Sequence, residues 1–239
     1  MKLYDESIEA ILNLLMDYKP RILDISGKSD SWVDVGTDNV VLRSDMAYEL
    51  GGDELAAISG MAITESKELV PMDEVLLYGK DIPDISKDIS YARVAIIRVK
   101  EDSMGTGNTL YNAIHKIEYV RYHMNPKGYM TRISVSKSRE PVRISKEAKK
   151  KGLDFAKVGK MFVESYHENP KIEAVKLIFI TLEDFPYKEL ELLIKSNNDI
   201  TDAIDHIMKN LVMDCNVCNL KTICDEVEGM KELHFSNMR

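Results

Sequence analysis

The segment "MDCNVCNLKTICDEVEGMKELHF", residues 213 to 235, holds all three cysteines of the chain, Cys215, Cys218 and Cys224. A CxxC turn lets two thiolates reach adjacent irons, and a cysteine six positions after Cys218 can return to a third, so the spacing suits a [4Fe-4S] cluster. Clustered cysteines in a reducing compartment point to metal binding before disulfides. Three readings stay open: an iron-sulfur cluster, a structural zinc ion, or no metal. Zinc takes a fourth thiolate or imidazole in a tetrahedral set, and His234 is the nearest candidate. A cluster with three cysteines needs its last iron held by Asp214, Asp225, His234, water, a substrate or a partner's side chain.

A second candidate site is electrostatic. The chain carries a formal charge of -8, yet residues 121 to 160 are +9 and the remainder -17. Arg121, Lys127, Arg132, Lys137, Arg139, Arg143 and Lys146 fall in that basic segment. Arginine grips phosphate with two parallel hydrogen bonds, so Arg132, Arg139, Arg143 and Lys146 are candidates to hold a phosphorylated ligand or to dock an acidic protein. The plain alternative is a solvated lysine-rich surface. An acidic chain with one basic face does not suit a general nucleic-acid binder. His115 and His123 lie too far apart on one helix for a metal pair, and His167, His206 and Trp32 suggest no chemistry. "GTGN" at 105 to 108 reads as a turn more readily than as a phosphate loop. No serine triad, P-loop or dinucleotide fingerprint is present.

The elements that must position these residues follow from hydrophobic spacing. Ile8, Ile11, Leu12 and Leu15 recur at helical intervals, and the acidic Asp5, Glu6 and Glu9 among them do not suit a signal peptide. Pro20 and the polar stretch that follows it predict a loop. "NVVLR", "LAAISGMAI" and "EVLLYG" predict short strands, and "ARVAIIRVKE" and "AVKLIFITL" predict central ones because β-branched residues dominate them. Leu110, Ala113, Ile114, Ile117, Val120 and Met124 make one helical face that Asn125, Pro126 and Gly128 terminate. "MTRISVSK" and "EPVRIS" predict a strand pair, Ser145 a cap, and Phe155, Val158 and Phe162 the apolar side of a further helix. "PYKELELLIKS" and "ITDAIDHIMKNLV" predict two closing helices, the second running into the cysteine segment. This mixture predicts an α+β fold, a mixed or antiparallel sheet with helices mainly on one side. No apolar run approaches the roughly 20 residues of a membrane span, and a cytoplasmic protein is expected.

The stretch "AIHKIEYVRYHMNPKGYMTRISVSK", followed by "PVRISKEAKKKGLDFAKVGKMF", resembles the middle domain of acetyl-CoA synthase, the beta subunit of the carbon monoxide dehydrogenase/acetyl-CoA synthase complex. "ELGGDELAAISGMAI", "VLLYGKDIPDI" and "AVKLIFITLED" extend the resemblance over roughly residues 40 to 184. It implies a helix and linker at 1–38, a middle-domain-like body at 39–184 and a helical cysteine segment at 185–239. In that family four cysteines hold a [4Fe-4S] cluster bridged to a dinuclear nickel site, which a Cys-Gly-Cys motif completes. Cys215 and Cys218 match the first CxxC, Cys224 follows at a shorter gap, and no Cys-Gly-Cys occurs here. The resemblance therefore implies a related scaffold with a cluster, a protein partner in a one-carbon pathway and coenzyme A as a candidate ligand of the arginine-rich face. It does not imply acetyl-CoA synthesis by this chain alone, because nickel needs further soft thiolates.

Overall fold

The computed structural model describes residues 2–27, 46–52, 54–124, 126–131 and 138–208. Eight strands and five helices alternate irregularly along them. The main sheet has the order β1-β4-β8-β5-β3, formed by Arg21–Leu23 (β1), Ala57–Thr64 (β3), Glu74–Tyr78 (β4), Tyr91–Val99 (β5) and Ile172–Ile180 (β8). β8 pairs parallel with β4 and antiparallel with β5, while β5 pairs parallel with β3 and β1 antiparallel with β4. The sheet is mixed, and the class is α+β as the sequence predicts. Every residue of β3 and β5 is buried, which is why both read as continuous apolar runs with no alternation.

A smaller sheet, β2-β7-β6, joins Ala47–Leu50 (β2), Val142–Ser145 (β7) and Tyr129–Thr131 (β6), all antiparallel. It is tied to the edge of β3 through residues 138–140, where Ser59 donates its N–H to Ser138 O at 2.9 Å and Glu140 donates to Ala57 O at 2.9 Å.

Helices meet both faces of the main sheet, which extends the expected one-sided cover. On the face carrying Tyr91 and Arg93 lies α4 (Phe155–His167): Phe155 stacks on Phe179 at 4.5 Å, and Gly159 sits over Val75. Asp154 caps α4 by accepting from Lys157 N at 2.8 Å. Asp81 fastens the same helix start to β1, accepting from Phe155 N at 2.9 Å and pairing with Arg21 at 2.9 Å. On the opposite face lie α1 (Asp5–Leu15) and α5 (Tyr187–Met208), since Thr64 donates to Asp5 at 2.7 Å and Ile194 rests on Gly60. α2 (Gly107–His123) ends where the sequence predicts, and Ser145 caps α3 (Lys146–Lys150) by accepting from Ala148 N at 3.2 Å.

Two expectations change. Residues 187–208 form one continuous helix in place of two, because neither Pro nor Gly interrupts Ser196 to Ile200 and Ile194, Ile200, Ala203 and Ile204 keep one buried face. β1 emerges from a stretch expected to be loop, where three residues are too few for periodicity to register. "NVVLR", Trp32 and most of "MTRISVSK" lie outside the described residues.

The contact of α5 with β3 has a measurable consequence. A Cβ on Gly60 would lie 2.2 Å from Ile194 Cδ1 and 2.9 Å from both Cγ atoms, so the helix sits directly on bare backbone. Gly60→Ala should lower stability by about 1–3 kcal/mol through overpacking. In a thermal or urea double-mutant cycle, Ile194→Ala should recover at least about 1 kcal/mol of that loss. Simple additivity of the two changes would contradict the contact.

Candidate functional site

Of the basic residues singled out in the sequence, Lys146, Arg143 and Arg139 come to β2 and the turn that follows it. β2 receives them in order. Lys146 Nζ stands 4.9 Å from the ring centre of Tyr48, with Lys149 Nζ at 5.2 Å. Arg143 Nε lies 2.5 Å from Glu49 Oε1, its direct cross-strand neighbour. Arg139 donates from Nη2 to Gly51 O and from Nη1 to Leu55 O, both at 3.1 Å. Arg132 lies outside the described residues, so the four are not brought together as a set. What the described part offers is a half-buried Tyr48 ring flanked by two ammonium groups, with Arg143 held on Glu49 within β2 and Arg139 fixing the turn after it.

Arg121 departs from the expected basic surface altogether. It is 2% exposed, and with Arg93 (3%) and Glu140 (4%) it forms a buried cluster. Glu140 Oε1 lies 2.6 Å from Arg121 Nε, and Glu140 Oε2 accepts from Arg93 Nη2 at 2.9 Å. Arg121 also donates to Ser59 O at 2.7 Å, and Arg93 to Arg121 O at 3.1 Å. Tyr91 and Tyr129 share a 2.6 Å hydrogen bond beside Arg93, whose guanidinium lies 4.5 Å over Phe162. Burial pushes the Tyr91 and Tyr129 phenols above their ordinary range, and that of Tyr166 up to about 12. The tyrosines are therefore neutral, and two guanidinium charges face one carboxylate. Burial works against the charge on Arg93, but the Glu140 carboxylate beside it holds the guanidinium protonated. Arginine reaches this position because α2 aligns Arg121 with Leu110, Ala113, Ile114 and Ile117 on its buried face.

His115, His123 and His167 are satisfied side chains. His115 sits between Asp205 (3.0 Å) and Glu118 (3.4 Å), tying α2 to α5, and His167 pairs with Asp73 at 2.9 Å. Gly105 and Gly107 take positive φ in the turn before α2, which fits the plain reading of "GTGN". Among the described residues no group of three His, Cys, Asp or Glu side chains is placed to hold a metal ion. Cys215, Cys218 and Cys224 lie outside those residues, a few positions beyond the end of α5. No described helix is long and apolar enough to cross a membrane.

The model of the CO dehydrogenase/acetyl-CoA synthase complex beta-subunit family matches residues 33–184. No curated protein matches the chain. The matched region holds strands β3, β4, β5 and β8 of the main sheet, the small basic sheet and the buried arginine cluster.

Proposed function

Because this chain belongs to the CO dehydrogenase/acetyl-CoA synthase complex beta-subunit family, we propose that it is an acetyl-CoA-synthase-related iron-sulfur protein acting with a protein partner in one-carbon and acetyl-CoA metabolism. Cys215, Cys218 and Cys224 would hold one [4Fe-4S] cluster, serving redox or assembly. The observation that carries the reading is the family match over a body whose last described helix leads into a CxxC and a third nearby cysteine. The donor chemistry fits, since thiolates are the usual ligands of such clusters. Three thiolates do not suffice for a cluster and a dinuclear nickel site together, so acetyl-CoA synthesis is not assigned to these residues.

A second reading takes the cysteines as structural or zinc-binding and the protein as a non-redox module for coenzyme A or an acidic partner. The observation favouring it is Tyr48 between Lys146 and Lys149, a flat ring with two cations beside it.

Anaerobic purification separates the two. The cluster reading expects brown protein with about four irons per chain, and Cys218→Ser is expected to lose the colour and most of the iron. Colourless protein carrying stoichiometric zinc would overturn it in favour of the second reading.

A further inference from the structure

The groove between α1, α5 and the turn after β3 plays no part in either reading. It encloses about 560 Å³, within the range of pockets that take specific ligands. Its walls carry Asp5, Glu6, Glu9 and Glu68, against Lys2 as the one basic residue among its described lining. Glu6 and Glu9 are exposed and make no ion pair with any described residue. About half of the lining is apolar, Leu69 and Leu193 within it, and Leu192, next to Leu193 on α5, is 68% exposed. Ser7, also in the wall, donates to the carbonyl of Asn197 behind it. Asn197 is 1% exposed and its Nδ2 has no hydrogen-bond partner among the described residues, a donor one side chain from the groove.

We propose that this groove docks a basic amphipathic segment of a partner protein, its lysines or arginines meeting Glu6, Glu9 and Glu68 and its leucine-type side chains meeting Leu69 and Leu193. Charge complementarity selects the occupant. The groove lies in the part of the chain that carries -17, on the sheet face opposite α4. Apolar surface beside the carboxylates favours a peptide with alternating cationic and aliphatic side chains over a bare polyamine. The proposal rests on the reading that the protein works with a partner, and it is independent of the cluster.

The test uses the full chain and a fluorescein-labelled 14-residue Leu/Lys helical peptide, with a Leu/Glu peptide and spermine as comparators. The Leu/Lys peptide is expected to bind with affinity that falls at least tenfold between 50 and 300 mM salt. E6Q/E9Q/E68Q is expected to weaken it at least tenfold, while E54Q/E101Q/E168Q, with the same net charge but no groove residue, leaves it within twofold. Equal weakening by both variants would reduce the effect to overall charge and overturn the proposal. So would equal binding of the Leu/Glu peptide, or groove-dependent binding of spermine without the peptide. Iron content measured on the same samples separates failure of the groove from failure of the cluster reading, since exposed glutamines there leave the cysteines untouched.

Discussion

Glu140→Ala is expected to destabilise the fold by about 3–5 kcal/mol, because it strands two guanidinium charges in the interior. Arg93 and Arg121 are each almost fully buried and both pair with this carboxylate. Glu140→Gln keeps the volume and a carbonyl acceptor but not the charge, and should fall between the wild type and the alanine variant. The exposed Lys80–Glu183 pair supplies the contrast: both partners are about half exposed, and Glu183→Gln should scarcely move the unfolding midpoint. Urea unfolding monitored by circular dichroism reads all three. A Glu140→Ala midpoint indistinguishable from wild type would mean that the cluster is hydrated or differently paired.

Gly51→Ala is expected to cost about 3 kcal/mol or more. Gly51 has φ +75, a region that costs an L residue about 1–2 kcal/mol. A Cβ there would also stand 2.1 Å from Ala57 Cβ, 2.6 Å from Ala57 Cα and 2.7 Å from Ala56 O, and backbone cannot swing aside as a side-chain tip can. The turn it occupies receives Arg139 on its carbonyl and donates its own N–H to Ile89 O at 2.7 Å. Displacing it should therefore loosen the small sheet ahead of the main one. Hydrogen exchange should show faster exchange in β2 and β7 with β5 and β8 unchanged. Uniform acceleration across all strands would argue that the two sheets open as one unit.

The strands and helices that dominate the core were legible because burial imposes long apolar runs and 3.6-residue spacing, as in β5, β8 and α2. The caps at Ser145 and Asp154 follow from short side chains beside helical runs, although only the first was expected. The arginine cluster was not legible, since a basic residue in a basic segment reads as surface. One signal was present: Arg93 stands in the middle of "ARVAIIRVKE", and a charge inside a continuously buried strand demands a carboxylate partner from elsewhere in the chain. Only the three-dimensional register identifies that partner as Glu140, 47 positions away. The partners of the basic face were not legible either. Arg139 and Arg143 hold a turn and a cross-strand carboxylate, an assignment that depends on the pairing of β2 with β7 and not on spacing.

The sheet order also governs how the protein is made. β8 is the last of the described strands to be synthesised and the one that joins β4 to β5, with Leu177 opposite both Val75 and Ala95. At about 5–20 residues per second, roughly 4–16 s pass between release of the end of β5 and the end of β8. Throughout that interval two apolar strand edges stay unpaired and open to the chaperones that bind them, so yield in a heterologous host should follow translation speed between residues 100 and 180 more closely than final stability.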